Sequence, residues 1–147
     1  MSDVPAPEFE YNEQIAERFL GNPKGAGGLH EYLGFEIVDV GPGTMHGQLK
    51  VRDELMTPIG NMHGGVLSAF CDHMLGCVCY PVMKKGQWAA TTEFKINLTA
   101  PVTQGVVDAY ATIVNMTRTM AIVRIDVVNE GRLTAMAQGT VTIRDPK

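Results

Sequence analysis

One apolar stretch constrains this chain more than anything else in it. Asn61-Met62-His63-Gly64-Gly65 runs into Val66-Leu67-Ser68-Ala69-Phe70-Cys71-Asp72-His73-Met74-Leu75-Gly76, so two glycines open a segment that carries a single carboxylate. Over residues 64–80, Val66, Leu67, Ala69, Phe70, Met74, Leu75 and Val78 fall nearly all round a helical projection. A helix that is apolar on every side has to be buried. Pro81 closes it. Whatever else the chain folds into must supply the cover.

The flanking segments read as that cover. Residues 1 to about 9 hold two of the prolines and read as a loose tail. Tyr11 to Leu20 reads as a short amphipathic helix stopped by Gly21-Asn22-Pro23, and Lys24 to Gly28 as a flexible connection. Leu29 to Leu33 suits a further helical turn. Phe35 to Val40 and Thr44 to Val51 alternate about Gly41-Pro42-Gly43 as a hairpin, and Arg52 to Gly60 reads as an irregular loop. After Trp88 the period becomes two, giving strands over Thr91–Leu98, Val106–Met116, Met120–Val128 and Leu133–Ile143, with a tight turn at Asn129-Glu130-Gly131. In the third of these Val123, Ile125 and Val127 face one way and Arg124 and Asp126 the other. The fold class is therefore α+β, one helix on one face of an antiparallel sheet. The cover that one sheet gives falls short of what such a helix needs, which points to a second subunit.

A chain of 147 residues suits one domain, divided as a tail and short helix over 1–28 and the folded domain over 29–147. The net charge of −4 argues against nucleic acid as a partner. Cys71, Cys77 and Cys79 are odd in number and hold no Cys-x-x-Cys pair, so they read as buried free thiols in a reducing compartment. The N-terminus has neither the basic start nor the apolar core of a signal peptide. No unbroken run reaches the ~20 apolar residues that span a bilayer. The expectation is a cytoplasmic protein with no membrane partner.

The sequence Gly60-x-x-His63-Gly64-Gly65, with Asp72 nine positions after the histidine, stands between Leu33-Gly34-Phe35-Glu36 and Phe94-Lys95-Ile96-Asn97 ending at Pro101. Over residues 30 to 145 the chain thereby resembles the hotdog-fold acyl-CoA thioesterases, and among them the phenylacetic-acid-pathway type. The resemblance implies a long central helix wrapped by a curved sheet, and a homodimer joined sheet edge to sheet edge that pairs further into a homotetramer. It implies an acyl-CoA substrate and active sites at the dimer interface. The amide of Gly64 would polarise the thioester carbonyl, and Asp72 would activate water or attack directly. Thr91 matches a hydroxyl that holds the water or the acid. Where many members carry a water-positioning Asn six residues before the histidine, this chain has Thr57, and Asn61 lies four residues further on.

Elementary chemistry points the same way. A helix start presents unpaired N–H groups and about half a positive charge. Glycines leave those amides unshielded, and one such donor stabilises a developing oxyanion by ~3–4 kcal/mol. The alternative role for Gly64 and Gly65 is close packing alone. Asp72 lies eight residues beyond Gly64, ~12 Å along a helix at ~1.5 Å per residue. One thioester cannot touch both in one chain, so the two would come from different subunits. Partial burial would raise the pKa of Asp72 and make it a better base.

His63 either acts on the carbonyl or holds the loop before the helix. Ser68, on the face of Asp72, either lines the acyl pocket or satisfies a backbone carbonyl. Gly65, Asn61 and Thr57 complete the expected substrate-binding set. Met56, Met62, Met74 and Met83 suit an adaptable apolar pocket or core filler. Lys84, Lys85, Lys95 and Arg118 are candidates for the CoA phosphates. His63, Asp72 and His73 have no recognised metal-ligand spacing, so neither metal nor cofactor is expected. The competing functions are a hydroxyacyl-thioester dehydratase and a non-catalytic acyl-CoA-binding domain.

Overall fold

The computed structural model describes residues 4–20, 25 and 27–147. Its elements run α1 (Glu13–Glu17), α2 (Leu29–Leu33), β1 (Phe35–Gly41), β2 (Thr44–Lys50), α3 (Gly64–Cys77), β3 (Trp88–Leu98), β4 (Val106–Met116), β5 (Met120–Asn129) and β6 (Arg132–Arg144). Single 3-10 turns occupy Asp53–Leu55 and Tyr80–Val82. The six strands form one antiparallel sheet in the order β1-β2-β4-β5-β6-β3. Helix α3 packs against β2, β3, β4, β5 and β6, so the sheet wraps it as expected.

The alternation read from the sequence sets which face does so. Val123, Ile125 and Val127 are fully buried, whereas Arg124 reaches Asp126 at 3.1 Å on the outer face. Glu130 and Gly131 both take positive φ, the two-residue turn that matches strand twist. Two strand positions have no room for a side chain. A Cβ at Gly47 would meet Met74 Sδ of the helix at 2.7 Å, and one at Gly139 would meet Phe94 Cβ at 2.6 Å and the Glu93 carbonyl at 2.7 Å in β3 before it met Leu75 Cδ1 at 3.1 Å.

Helix α3 differs from its expected form in two ways. It ends at Cys77 with Val78 as C-cap, and Pro81 lies inside the following 3-10 turn instead of closing the helix. Nor is it apolar all round. Leu67, Phe70, Cys71, Met74 and Leu75 are buried, but Gly65, Ser68, Ala69, Asp72, His73 and Gly76 form an exposed or half-buried strip. Glycine and alanine count as apolar in a sequence yet bring little apolar surface, which is why the projection looked closed. The 19 residues Gly64–Val82, at a mean hydropathy of 1.3, are by length and composition enough to cross a bilayer, contrary to the run-length expectation. In the fold Leu67, Phe70, Met74, Leu75 and Val78 of this stretch are buried in the core, and the stretch as a whole is 44% buried.

The N-terminal segment is docked. Phe9 lies against Gly43, the Tyr11 hydroxyl donates to the Val40 carbonyl (3.0 Å), and Asn12 N–H donates to the Pro81 carbonyl (2.8 Å). Asn12 also caps α1, which is shorter than the expected helix, since Phe19 leaves it to pack on Tyr80 and Leu20 bridges to Ile37. The expected stop at Gly21-Asn22-Pro23, and Lys24 and Ala26 of the connection, lie outside the described residues. Gly25 and Gly27 donate their N–H groups to the Glu31 carboxylate at 3.2 and 2.6 Å, which holds that carboxyl below its ordinary range.

Candidate active site

The start of α3 is built by the residues that precede it. His63 is the N-cap in extended backbone, its N–H donates to the Leu55 carbonyl (2.9 Å), and its Nδ1 accepts from the Gly65 N–H (2.8 Å). The ring therefore holds the helix start, the second of its two expected roles. The His63 carbonyl accepts from Val66 N–H (2.9 Å). The Ser68 hydroxyl donates to the Gly64 carbonyl (2.8 Å), so it satisfies the backbone. Among the described residues the Gly64 N–H finds no acceptor. It is the open amide of the first turn, as its place at a helix start demands.

That amide belongs to a cavity of ≈ 270 Å³ between the helix start, the end of β3 and the segment that follows it. Met62, Leu67, Leu98 and Val102 give apolar walls, and Asn61 gives a carboxamide. A Cβ on Gly64 would meet Leu98 Cδ1 at 2.6 Å, so this glycine keeps the approach open. Sequence reasoning missed Leu98 and Val102, although both flank the Pro101 at which the strand was expected to end. It also set Asn61 apart from Thr57 by four residues. The chain turns tightly there: Thr57 N–H donates to the Asn61 carbonyl (2.7 Å), and the Thr57 hydroxyl donates to Asn61 Oδ1 (3.0 Å). The fold thus delivers the carboxamide of Asn61 beside Thr57 and Gly64 in place of a side chain at 57.

Asp72 is not part of this cavity. It is exposed on the outward strip of α3 and makes no ion pair among the described residues, so this chain alone does not supply the expected partial burial. At ~100° and ~1.5 Å per residue it stands ~12 Å along the helix from Gly64 and ~80° around it. Thr91 is not at the cavity either. A bulge between Thr91 and Glu93 puts Thr92 and Glu93 on the outer face, bonded to Thr142 and Thr140, while Thr91 pairs with buried Val141 on the helix side. It lies seven residues back along β3 from Leu98, roughly 20 Å at strand rise.

The other candidates separate clearly. His73 stacks on His30 (5.4 Å) and tilts against Phe35 (5.5 Å), with its Nε2 3.6 Å from Cys77 Sγ. Burial, with His30 adding, pushes it down to about 4, while Asp72 pulls the other way. Burial pushes Cys71, Cys77 and Cys79 up to about 12, which makes them inert core thiols as expected. No three metal-binding side chains cluster among the described residues. Of the methionines Met62 alone lines the Gly64 cavity. Met56 lines a second, apolar hollow of ≈ 410 Å³ between α2 and α3 with Leu33, Val66 and Ala69. Met74 packs into the core against Gly47, and Met83 lies beyond the helix. Arg118 pairs with Asp145 (3.3 Å), and Lys95 is exposed on β3.

Comparison with known proteins places this geometry. The family model described as the thioesterase superfamily matches residues 59–136, the span from the helix start to β6. The 1,4-dihydroxy-2-naphthoyl-CoA hydrolase of Listeria monocytogenes is 25% identical over 118 residues, 80% of this chain and 96% of that protein. A thioesterase structure from Haemophilus influenzae superposes with a TM-score of 0.80 at 25% identity, over 84% of this chain and 87% of its own. A substituted form of the phenylacetic acid degradation protein of Thermus thermophilus gives 0.70 at 30% identity, over 77% and 96%. The hotdog architecture read from the sequence is the architecture of these structures.

Proposed function

The chain belongs to the thioesterase superfamily, and from that premise we propose that it is an acyl-CoA thioesterase whose site is shared between two copies of the chain. The observation that carries this reading is the unpaired amide of Gly64, a residue that lines a small cavity of mixed apolar and polar character at a helix start. A thioester carbonyl seated there receives one N–H from Gly64, reinforced by the helix dipole. The ~12 Å offset of Asp72 within one chain then assigns the base to α3 of a second copy. The exposed strip around Asp72, made of small residues, leaves room for that copy to approach.

In this mechanism Asp72 takes a proton from water, and the water oxygen bonds to the thioester carbon. The electron pair moved to the carbonyl oxygen is held by the Gly64 N–H. Collapse of the tetrahedral intermediate releases the free acid and expels the CoA thiolate, which takes the proton from Asp72 and so restores the carboxylate. Asn61, whose Oδ1 accepts from Thr57 and whose Nδ2 donates to the Met62 carbonyl (3.2 Å), is the group assigned to orient the water or the carbonyl through its second N–H. Thr91, which pairs with Val141 in the sheet, is the hydroxyl assigned to hold the water or the acid. The cavity size suits an aryl or medium-chain acyl group, and the naphthoyl-CoA hydrolase relative supports an aromatic one.

A panel of aryl- and medium-chain acyl-CoAs assayed for free thiol tests the proposal. CoA release that is lost in Asp72→Asn is the expected result. Conjugated-enoyl absorbance without thiol would make the protein a dehydratase, and binding without turnover would make it an acyl-CoA-binding domain. Either outcome overturns the thioesterase reading.

A further inference from the structure

Another cavity, which shares no lining residue with the one at Gly64, carries a local excess of positive charge. This cavity, of ≈ 550 Å³, opens between α1 and the segment that carries the chain from α3 into β3. Its volume falls within the ~300–1,000 Å³ of small-molecule sites. Arg18, Lys84 and Lys85 line it, and no acid does. Among the described residues these three cations make no ion pair within 4.0 Å. Asp145 accepts from Gln87 Nε2 (2.8 Å) and is paired with Arg118 (3.3 Å). Glu10 and Glu13 line an adjoining hollow that Lys84 and Lys85 also line, without an ion pair to either lysine within 4.0 Å.

The rest of the lining fits the same kind of ligand. Phe19 and Tyr80 are packed ring to ring at 5.9 Å and present a half-buried aromatic surface, and Asn12 and Gln14 add carboxamides. Three cations and two aromatic rings in one lining suit a phosphorylated ring system, since the cations hold phosphate oxygens while a flat ring packs on an aromatic face. An acidic protein with one such local positive site focuses anions there. We propose that this cavity binds a phosphorylated nucleotide.

Two sources offer that chemistry: a free nucleoside phosphate, or the 3′-phosphorylated ADP end of CoA. The second rests on the function proposed above. It has a geometric attraction, because the cavity lies just past the C-terminal end of α3, roughly 12 Å along the helix direction from Asp72. The copy that supplies the acid would then also hold the nucleotide end of the substrate.

The test needs no turnover. Trp88 is the only tryptophan, is 47% exposed and directly follows the cavity residue Gln87, so its fluorescence reports occupancy. The full chain titrated with adenosine 3′,5′-bisphosphate and with ADP should show saturable binding that weakens with salt. Lys84→Gln with Lys85→Gln should weaken it about tenfold or more, and Arg18→Gln further, each charged phosphate contact being a large share of such a free energy. These are exposed side chains, and an unchanged circular dichroism melt shows that the variants fold. Steady-state assays then separate the sources. If the double variant raises KM for an acyl-CoA and leaves the same acyl-pantetheine unchanged, the nucleotide is the substrate's own. If neither KM moves while binding is lost, the ligand is a free nucleotide. No binding at millimolar nucleotide, or binding that the triple variant leaves intact, overturns the proposal. Absence of thioester hydrolysis beside intact nucleotide binding would overturn the proposed function instead.

Discussion

Two histidines ten residues apart on one stretch of chain have opposite chemistry. His63 stands exposed at the front of α3, its Nδ1 on the Gly65 amide, in a neighbourhood of open backbone groups and a cavity. His73 stands in the back half, stacked on His30 and tilted against Phe35 with a thiol beside it, and burial keeps it neutral. The front of the helix leaves a donor free to act on a ligand. The back withdraws its titratable groups from reaction, pushing three thiols up and one imidazole down. Asp72 lies at the boundary, adjacent to the sealed half but turned outward.

The hardest test of that contrast is Asp72→Asn. A general base contributes roughly 10²–10⁴-fold, so kcat should fall by at least ~100-fold with the thermal melt unchanged. Turnover retained within threefold would move the base elsewhere. Next comes Gly64→Ala. The added methyl meets only the end of the Leu98 side chain, which is 54% exposed and free to swing aside. The fold should survive while kcat/KM drops roughly 100-fold, because the methyl and the displaced leucine crowd the open amide. A melt lowered with activity intact would make Gly64 a packing residue.

The sealed half is probed by pH. Below about pH 6.5 the unfolded chain takes up a proton that folded His73 refuses until about pH 4. Stability should therefore be level above pH 6.5 and fall as pH drops from about 6.5 to about 4, by up to about 3 kcal/mol. His73→Phe, measured by urea melts across that range, should flatten this slope. A slope that persists assigns it to other groups. His63→Ala should cost only about 1 kcal/mol as a lost cap, a shift of about 2–4 °C in Tm. The smallest effect is expected of the thiols: iodoacetamide at pH 8 should modify none of the three in the native protein and all three after denaturation, read by mass spectrometry.

The parts of this fold that follow from local pattern could be read from the chain. Strand alternation, the turn at Glu130-Gly131 and the glycine-opened helix are properties of neighbouring residues, and they stand where the sequence put them. Helix α3 also shows the limit of such counting: its outward strip of Gly65, Ala69 and Gly76 looked apolar, because residue type says nothing about area. The site was legible as far as Gly64 and its helix start. Asn61 beside Thr57, and Leu98 over Gly64, depend on a tight turn and on which strand lies at the sheet edge, and neither is written in any short window. Arg18 meets Lys84 and Lys85 only because α1 docks on Pro81, a contact between segments some seventy residues apart.

The sheet order carries a consequence for how the protein is made. Strand β3 leaves the end of α3 but passes over β4 and β5 to pair with β6, Trp88 with Arg144 and Leu98 with Ala135. A growing chain thus completes its most apolar helix long before the strand that anchors one of its walls has been synthesised. Through that interval β3 has no partner of its own, and Leu98 has nothing to hold it over Gly64. Pairings this distant in sequence are slow to close and leave apolar surface open to other chains. The last strand to emerge is the one that fastens β3, so removal of a few residues from β6 would strip a wall from a cavity that β6 does not itself line.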